Sequence, residues 1–451
     1  MSYEKWSLGY WSLKQYVKFA DWLIHKKIVI TGKEKIPKNK PILFAPNHQN
    51  ALSDPMAILL NTPFQPVWLA RADIFKSKIA RVLLKFLKII PVYRLRDGKE
   101  NLAKNDQTFA VSIKVLKNNS ALALFPEAAH SGKRQMLEHK KAIPKIAFMA
   151  EEKAGYNLDI QIVPTGIYYS HYWKFNRTVM VNFGDPIPVK NYLEEYRKNP
   201  NNATVQLRQK LNDAILPLVI NIESQKYYAD FENIREIYGK HFLSRQGQSL
   251  SQVNLLKSDQ LLTSCLDQLE TEKPQATASI VSETKNYLAA LKKHKIRSWV
   301  LESRKNNFIK TAGAKLLLLI GLPVFLYGFL LNAIPFFTID ILIRKKVKNW
   351  TFWSSFFLAA GVLLFPLVYI IEFSALAWLV PGVWLKILFF LSMPFTGKLA
   401  FKWYILFRKF TGMTRLLFLQ VFRKNEYKAL IKQHESLFNN IDNFIGKKGK
   451  P

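Results

Sequence analysis

The chain has 451 residues, more than one average domain needs, and 66 Lys and Arg against 32 Asp and Glu give it a formal charge of +34. Such a surplus attracts polyanions, but 49% hydrophobic and 14% aromatic residues, with long apolar runs late in the sequence, favour an anionic membrane surface over nucleic acid. A single cysteine, Cys265, excludes an intramolecular disulfide framework and suits a reducing cytoplasm.

No cleavable leader is expected, because residues 1–27 are broken by charges and lack an apolar core of the needed length. Over 6–24, Trp6, Tyr10, Leu13, Val17, Ala20 and Ile24 recur at helical spacing, with Lys5, Lys14, Lys18 and Lys26 around them. This predicts an amphipathic helix over 1–26, packed on the next domain or lying in a membrane interface.

From residue 27 to 220 short apolar runs alternate with helical patterns. Strands are expected at 28–31, 42–45, 67–69, 89–93, 121–125, 160–164 and 179–183, and helices at 56–60, 76–87 and 105–117. That alternation predicts a layered α/β domain with a mixed, largely parallel sheet and its chemistry at strand ends. Residues 221–310 read as a helical connector, rich in Lys, Glu, Gln and Leu, with nothing at catalytic spacing.

The character then changes. Segments 316–339, 352–371 and 375–395 are apolar and long enough to span a bilayer, which defines a transmembrane region over 311–400. Arg344, Lys345, Lys346 and Lys348 flank the first at its end; Lys398, Lys402, Arg408 and Lys409 come after the third. The second and third are expected to form a hairpin with Glu372 and Ser374 at its non-cytoplasmic turn. Lys305, Lys310 and Lys315 precede the first, so both its flanks carry cytoplasmic charge. Pro323, Gly328 and Pro335 interrupt that segment and suit a kinked or re-entrant helix, leaving two or three crossings open. Residues 401–451 form a basic, partly amphipathic tail. Together these features place an integral protein in a cell (inner) membrane, its α/β domain facing the cytoplasm.

Four motifs carry the chemistry. The first, Asn47-His48-Gln49-Asn50-Ala51-Leu52-Ser53-Asp54-Pro55, comes directly after an expected strand and sets an imidazole beside a carboxylate. A neutral imidazole accepts an alcohol proton as its oxygen attacks a thioester, and Asp54 would fix the tautomer. The rival reading makes Asp54 the N-cap and Pro55 the first position of the next helix. The second motif, Ile90-Pro91-Val92-Tyr93-Arg94-Leu95-Arg96, supplies guanidinium groups suited to phosphate, although alternate arginines also describe a solvated strand face. The third, Phe125-Pro126-Glu127-Ala128-Ala129-His130-Ser131, brings a carboxylate, an imidazole and a hydroxyl to another strand end, with Lys133 and Arg134 close behind. The fourth, Ile162-Val163-Pro164-Thr165-Gly166, reads as a strand ending in a turn.

In order and content these motifs resemble the glycerolipid acyltransferases, which include glycerol-3-phosphate and 1-acylglycerol-3-phosphate O-acyltransferases, over roughly residues 25–220. The resemblance implies that His48 is the general base and Asp54 orients it. It implies a phosphate contact at Arg94, with Arg96 a second candidate, and an acceptor-binding role for Glu127 and Lys133. Asn47, Pro126, His130, Ser131 and Pro164 then support the motifs, with Pro164 near the acyl donor. The family's commonest His-to-Asp spacing is one residue shorter. The longer form, Gln49 to Ser53 here, resembles the branch acylating glycerol-3-phosphate or dihydroxyacetone phosphate that also carries C-terminal membrane segments. The family's usual glycine after Phe-Pro-Glu is Ala128 here, a constraint if the backbone needs positive φ.

The expected function is therefore transfer of a fatty acyl group from acyl-CoA or acyl carrier protein to glycerol-3-phosphate, or to its 1-acyl derivative, in phosphatidic acid synthesis. Partners would be that donor, a phosphate-bearing glycerol or lysolipid acceptor, and anionic membrane lipids. No metal is implied, since the histidines lack ligand spacing, and no dinucleotide fingerprint is present. Alternatives are acylation of another lysophospholipid or lipid head group, a non-catalytic membrane scaffold, and a nucleic-acid binder. The last lacks a basic-aromatic platform.

Overall fold

The computed structural model describes residues 2–94, 99–302 and 307–446. The chain divides into two compact units, one formed by 1–219 with 343–359 and the other by 220–342 with 360–451.

The first unit is built on an eight-stranded sheet: β1 (Lys27–Thr31), β2 (Ile42–Pro46), β3 (Val67–Arg71), β4 (Ile89–Val92), β5 (Leu122–Ala123), β6 (Gln161–Tyr169), β7 (Thr178–Phe183) and β8 (Ile187–Pro188). Their order is β1-β7-β6-β2-β5-β3-β4, with β8 paired to β6. Strands β6, β2, β5, β3 and β4 run parallel; β7 is antiparallel to β6 and parallel to β1. The mixed, largely parallel sheet read from the sequence is what forms. Its helices are α1 (Leu8–Ile24), α2 (Ser53–Leu59), α3 (Lys78–Phe86), α4 (Asn105–Lys117), α5 (Ala142–Lys153), α6 (Leu193–Lys198) and α7 (Pro200–Ile215).

Strand β2 shows why the sheet is central. All five of its residues are buried, and they alternate between two cores. Leu43 and Ala45 join Ile113, Ile146, Phe148, Leu207 and Leu211 beneath α4, α5 and α7. Ile42 and Phe44 join Ile58, Trp68, Val163 and Val181 on the other face, under α2. A strand buried on both faces reads as a continuous apolar run, the pattern of parallel sheets.

One expectation needs correction here. Pro164 does not end a strand: β6 runs on through Thr165 and Gly166 to Tyr169. Proline is tolerated because it lies between the Gln161–Ile162 pairing with β8 and the Thr165–Tyr169 pairing with β7, where the edge partner changes. Gly166 is required for contact rather than turning, since a Cβ there would meet the Leu218 carbonyl oxygen at 2.4 Å. In α1 the expected face, Tyr10, Leu13, Val17, Ala20 and Ile24, is buried or half-buried, joined by the buried Lys14 and Asp21, while Trp6 just before the helix and Trp11, Phe19 and Trp22 on it are exposed. Lys14 is buried because its Nζ donates to the carbonyls of Thr62 (2.6 Å) and Phe64 (2.8 Å), and burial pushes its ammonium down to about 8.

The second unit contains α8 (Tyr228–Arg245), α9 (Gln252–Glu272), α10 (Pro274–Lys293), α11 (Ser298–Glu302), α12 (Asn307–Lys346), α13 (Trp353–Leu376), α14 (Val383–Phe422) and α15 (Lys424–Ile445), except that the end of α12 and the start of α13 belong to the first unit. Among the described residues three helices, 308–346, 350–379 and 383–422, are long and apolar enough to cross a membrane, so the chain is membrane-associated. Pro323 and Pro335 lie inside an unbroken α12. Polar groups stitch this region: Asn332 Nδ2 donates to Gly328 O (2.8 Å) and Met393 O (3.1 Å), and Tyr369 donates to Asn332 Oδ1 at 2.6 Å. Gly328 lets the backbones close, as a Cβ there would meet Thr396 O at 2.3 Å. The turn between α13 and α14 falls after Leu376, so Glu372 and Ser374 are in the helix that precedes it.

Candidate active site

The parallel strands β2, β3, β4 and β5 all end at the same edge of the sheet, and each delivers a charged or titratable side chain there. His48 lies just past β2, Arg71 closes β3, Arg94 lies just past β4 and Glu127 just past β5. The sequence motifs, scattered over about eighty positions, are therefore brought to one sheet edge by topology.

His48 Nδ1 lies 2.9 Å from Asp54 Oδ2. The same oxygen accepts the backbone N–H groups of Gln49 (2.7 Å) and Asn50 (2.7 Å). Asp54 is fully buried, whereas the His48 side chain is 14% exposed. A carboxylate facing Nδ1 accepts a hydrogen bond from the N–H there, so Nε2 carries the lone pair. Asp54 is thus not an N-cap. It sits in the first turn of α2, which starts after Leu52, and folds its carboxylate back onto the preceding loop. The imidazole stacks on Phe125, with ring centroids 3.8 Å apart, and His130 meets it edge-on at 5.3 Å.

Glu127 is 2% exposed and fastens the two motif loops together. Its Oε1 accepts the His48 backbone N–H (2.9 Å) and its Oε2 that of Leu137 (3.1 Å). Burial pushes its carboxyl up to about 8 despite those two donors. Both oxygens are thus taken by backbone N–H groups, one of them that of His48. Ala128 takes φ +57°. The loop keeps the left-handed conformation that glycine would adopt freely, and alanine bears strain of about 1–2 kcal/mol there.

The remaining predicted residues divide. Asn47 is a stitch: its Oδ1 accepts the Ile167 N–H (2.7 Å) and its Nδ2 donates to Ile167 O (3.3 Å). Pro126 is buried, and its carbonyl accepts Lys140 N–H at 2.7 Å. Ser131 Oγ closes a turn with Lys133, accepting its N–H and donating to its carbonyl, both at 3.1 Å. Lys133 itself is exposed. His130 is half-buried, with Nε2 3.3 Å from Thr351 Oγ1. Burial first, then the neighbouring His48, holds its imidazole below the ordinary range. Pro164 lies within β6, paired with Ala45 of β2. Arg94 Nη2 lies 3.5 Å from Asp73 Oδ2, and Arg96 is outside the described residues.

Several participants carry no motif signal. Arg71 also pairs with Asp73, through Nε at 3.1 Å, and its charge reaches His130. Two guanidinium groups from adjacent strands therefore share one carboxylate. Arg177 is buried behind the dyad: its Nη2 donates to Ser53 Oγ at 3.1 Å, its Nη1 to Tyr172 O and its Nε to His25 Nε2 at 3.2 Å. Tyr172 returns its hydroxyl to Gln49 Oε1 (2.9 Å), while its carbonyl accepts Asn50 Nδ2 (2.8 Å). Arg134 is buried against the Tyr168 and Tyr172 rings and donates to Tyr169 O at 2.7 Å. Among the described residues no group of three or more His, Cys, Asp or Glu side chains is arranged to hold a metal ion.

The acyltransferase family profile matches residues 27–168, the segment that holds the dyad, both arginines, Glu127 and Pro164. The chain is 22% identical over 237 residues to glycerol-3-phosphate O-acyltransferase 1 of Saccharomyces cerevisiae, an alignment covering 52% of this chain and 30% of that one. It is 24% identical over 211 residues to the 1-acyl-sn-glycerol-3-phosphate acyltransferase of Borreliella burgdorferi, covering 45% of this chain and 78% of that one. The chain thus spans less than a third of the length of the yeast relatives it matches. Among solved structures, the 1-acyl-sn-glycerophosphate acyltransferase PlsC of Thermotoga maritima is similar at 20% identity and a TM-score of 0.31, covering 44% of this chain and 79% of that chain. Residues 27–168 thus carry an acyltransferase domain.

Proposed function

We propose that the protein is a membrane-bound O-acyltransferase that esterifies glycerol-3-phosphate, with the 1-acyl derivative as the alternative acceptor. The observation that carries this reading is the dyad. Asp54 accepts a hydrogen bond from the Nδ1–H of His48 and leaves Nε2 as a base, and no protein nucleophile is needed because the acceptor supplies the hydroxyl. His48 Nε2 removes the acceptor proton as the oxygen attacks the acyl thioester carbonyl. The C–S bond breaks, and the thiolate takes the proton back from the imidazolium, which the buried Asp54 charge stabilises meanwhile. Arg94 and Arg71 bind the acceptor phosphate by displacing part of their pairing with Asp73. Glu127 holds His48 in place rather than touching the acceptor. Lys133, exposed near the site, adds positive potential at its mouth.

The thioester donor is acyl-CoA or acyl carrier protein; a surface of +34 suits either polyanion. The α/β domain faces the cytoplasm of a cell membrane, because Arg344, Lys345, Lys346 and Lys348 flank the stretch that joins it. A matrix of both donors against glycerol-3-phosphate and 1-acylglycerol-3-phosphate, run on the full chain in detergent, tests this. Product from glycerol-3-phosphate is expected. Activity confined to another lysophospholipid would move the assignment to that acceptor, and no transfer in any combination would overturn it.

A further inference from the structure

The contacts of residues 350–357 are not those of a tether. Although this stretch lies three hundred positions downstream, it belongs to the same compact unit as the α/β sheet and meets both motif loops. Ser355 Oγ accepts the backbone N–H of Leu52 at 3.0 Å, and Ser355 is 5% exposed. Ser354 Oγ donates to Asn50 Oδ1 at 2.9 Å and lies 3.2 Å from Ser53 Oγ. On the other loop, Thr351 Oγ1 is 3.3 Å from His130 Nε2, and Phe352 meets the His130 ring edge-on at 4.8 Å. Gly132, at φ +66°, is so close to this stretch that a Cβ would meet Thr351 Cγ2 at 2.6 Å. Trp353 and Phe357 add edge-on aromatic contacts to Trp173 and Phe175, at 5.9 Å and 5.1 Å.

What these contacts hold is the segment joining the two members of the dyad. Residues 49–53 link His48 to Asp54, and the loop includes Ala51 at φ +36°, a conformation that needs support from its surroundings. Asn50 is pinned on one side by Asp54 and Tyr172, and on the other by Ser354. Leu52 marks the start of α2, where backbone N–H groups have no helical partner, and Ser355 satisfies the one at Leu52.

We infer that the first turn of α13, through Ser354 and Ser355, is a positioning element of the catalytic loop, so the apolar C-terminal segment builds the active site as well as anchoring it. The inference rests on the acyltransferase reading above. An error of about an ångström in a reacting group costs on the order of a hundredfold in rate.

The test uses the full chain in detergent. Ser354→Ala with Ser355→Ala is expected to lower kcat by roughly 10- to 100-fold while KM for the acceptor changes by less than about threefold. Ser374→Ala, on the same helix but bonded to the Ile370 carbonyl one turn before it, is expected to leave kcat unchanged. Ser355→Thr keeps a hydroxyl for Leu52 and is expected to restore most of the rate. Asn50→Ala combined with Ser354→Ala should cost clearly less than the sum of the two single losses, because each alone already removes the Ser354–Asn50 hydrogen bond. If the double serine variant does not fold, each single variant carries the same comparison. Wild-type kcat in the serine variants, or additive losses in the Asn50–Ser354 pair, would overturn the inference. An inactive wild-type chain would instead overturn the acyltransferase reading.

Discussion

The loop after β2 and the segment after β4 each bring a site residue to the same sheet edge, yet they hold it in opposite ways. His48 is fixed from every side: Asp54 at Nδ1, Glu127 at its backbone, Phe125 against its ring, and a further set of contacts from Tyr172, Arg177 and Ser354 on the residues around it. Arg94, with about a fifth of its side chain exposed, shares Asp73 with Arg71 at the long distance of 3.5 Å. In the proposed reaction the difference would separate two tasks. A base that must meet an attacking hydroxyl is best held rigid beforehand, because misplacement costs rate. A phosphate anchor is best left with a replaceable partner, so that substrate can take that partner's place.

Breaking the rigid side should therefore cost kcat. Asp54→Asn removes the charge that stabilises the imidazolium and mismatches the donors converging on Oδ2. A fall in kcat of about a thousandfold is expected, with KM little changed, in steady-state acyl transfer. Breaking the open side should cost affinity instead. Arg94→Ala, and to a lesser degree Arg71→Ala, should raise KM for glycerol-3-phosphate by roughly 10- to 100-fold, as expected for a lost charged hydrogen bond. A kcat effect larger than the KM effect would erase the distinction between the two loops.

Glu127 sharpens the comparison through pH. Its folded carboxyl keeps its proton up to about 8, whereas in the unfolded chain the proton leaves near the ordinary value of about 4.3. Across that window the unfolded state binds fewer protons, so this group's contribution to stability is full at low pH and declines as pH rises through about 8. Melting temperatures in detergent from about pH 5 to about pH 9 should show that decline, and Glu127→Gln should flatten it. The glutamine still loses one bracket bond, since its amide N–H₂ cannot accept from Leu137 N–H or His48 N–H, and a kcat loss of about tenfold is expected. The smallest effect concerns the left-handed turn beside it: Ala128→Gly should stabilise the chain by about 1 kcal/mol in chemical denaturation.

Much of this was legible in the sequence because it repeats or alternates. The strand run at 42–45 was readable since both faces of β2 are buried, and the His48, Arg94 and Glu127 motifs were readable because each comes directly after a strand. What escaped has no local signature. Ser354 and Ser355 look like small polar residues opening an apolar segment, and Arg177 is a lone cation before a strand; their roles exist only through contacts with residues far away in the sequence. Pro164 misled for the opposite reason. A proline close to a glycine signals a turn, but here the sheet changes edge partner at the proline and the Leu218 backbone approaches the glycine.

The central claim is that His48 is the general base of acyl transfer. The most direct measurement is release of free thiol from acyl-CoA on addition of glycerol-3-phosphate, comparing the wild-type chain with His48→Ala at equal melting temperature. A drop of about a hundredfold or more in kcat, with acceptor binding retained, is the predicted result. Equal rates in the two proteins would contradict it.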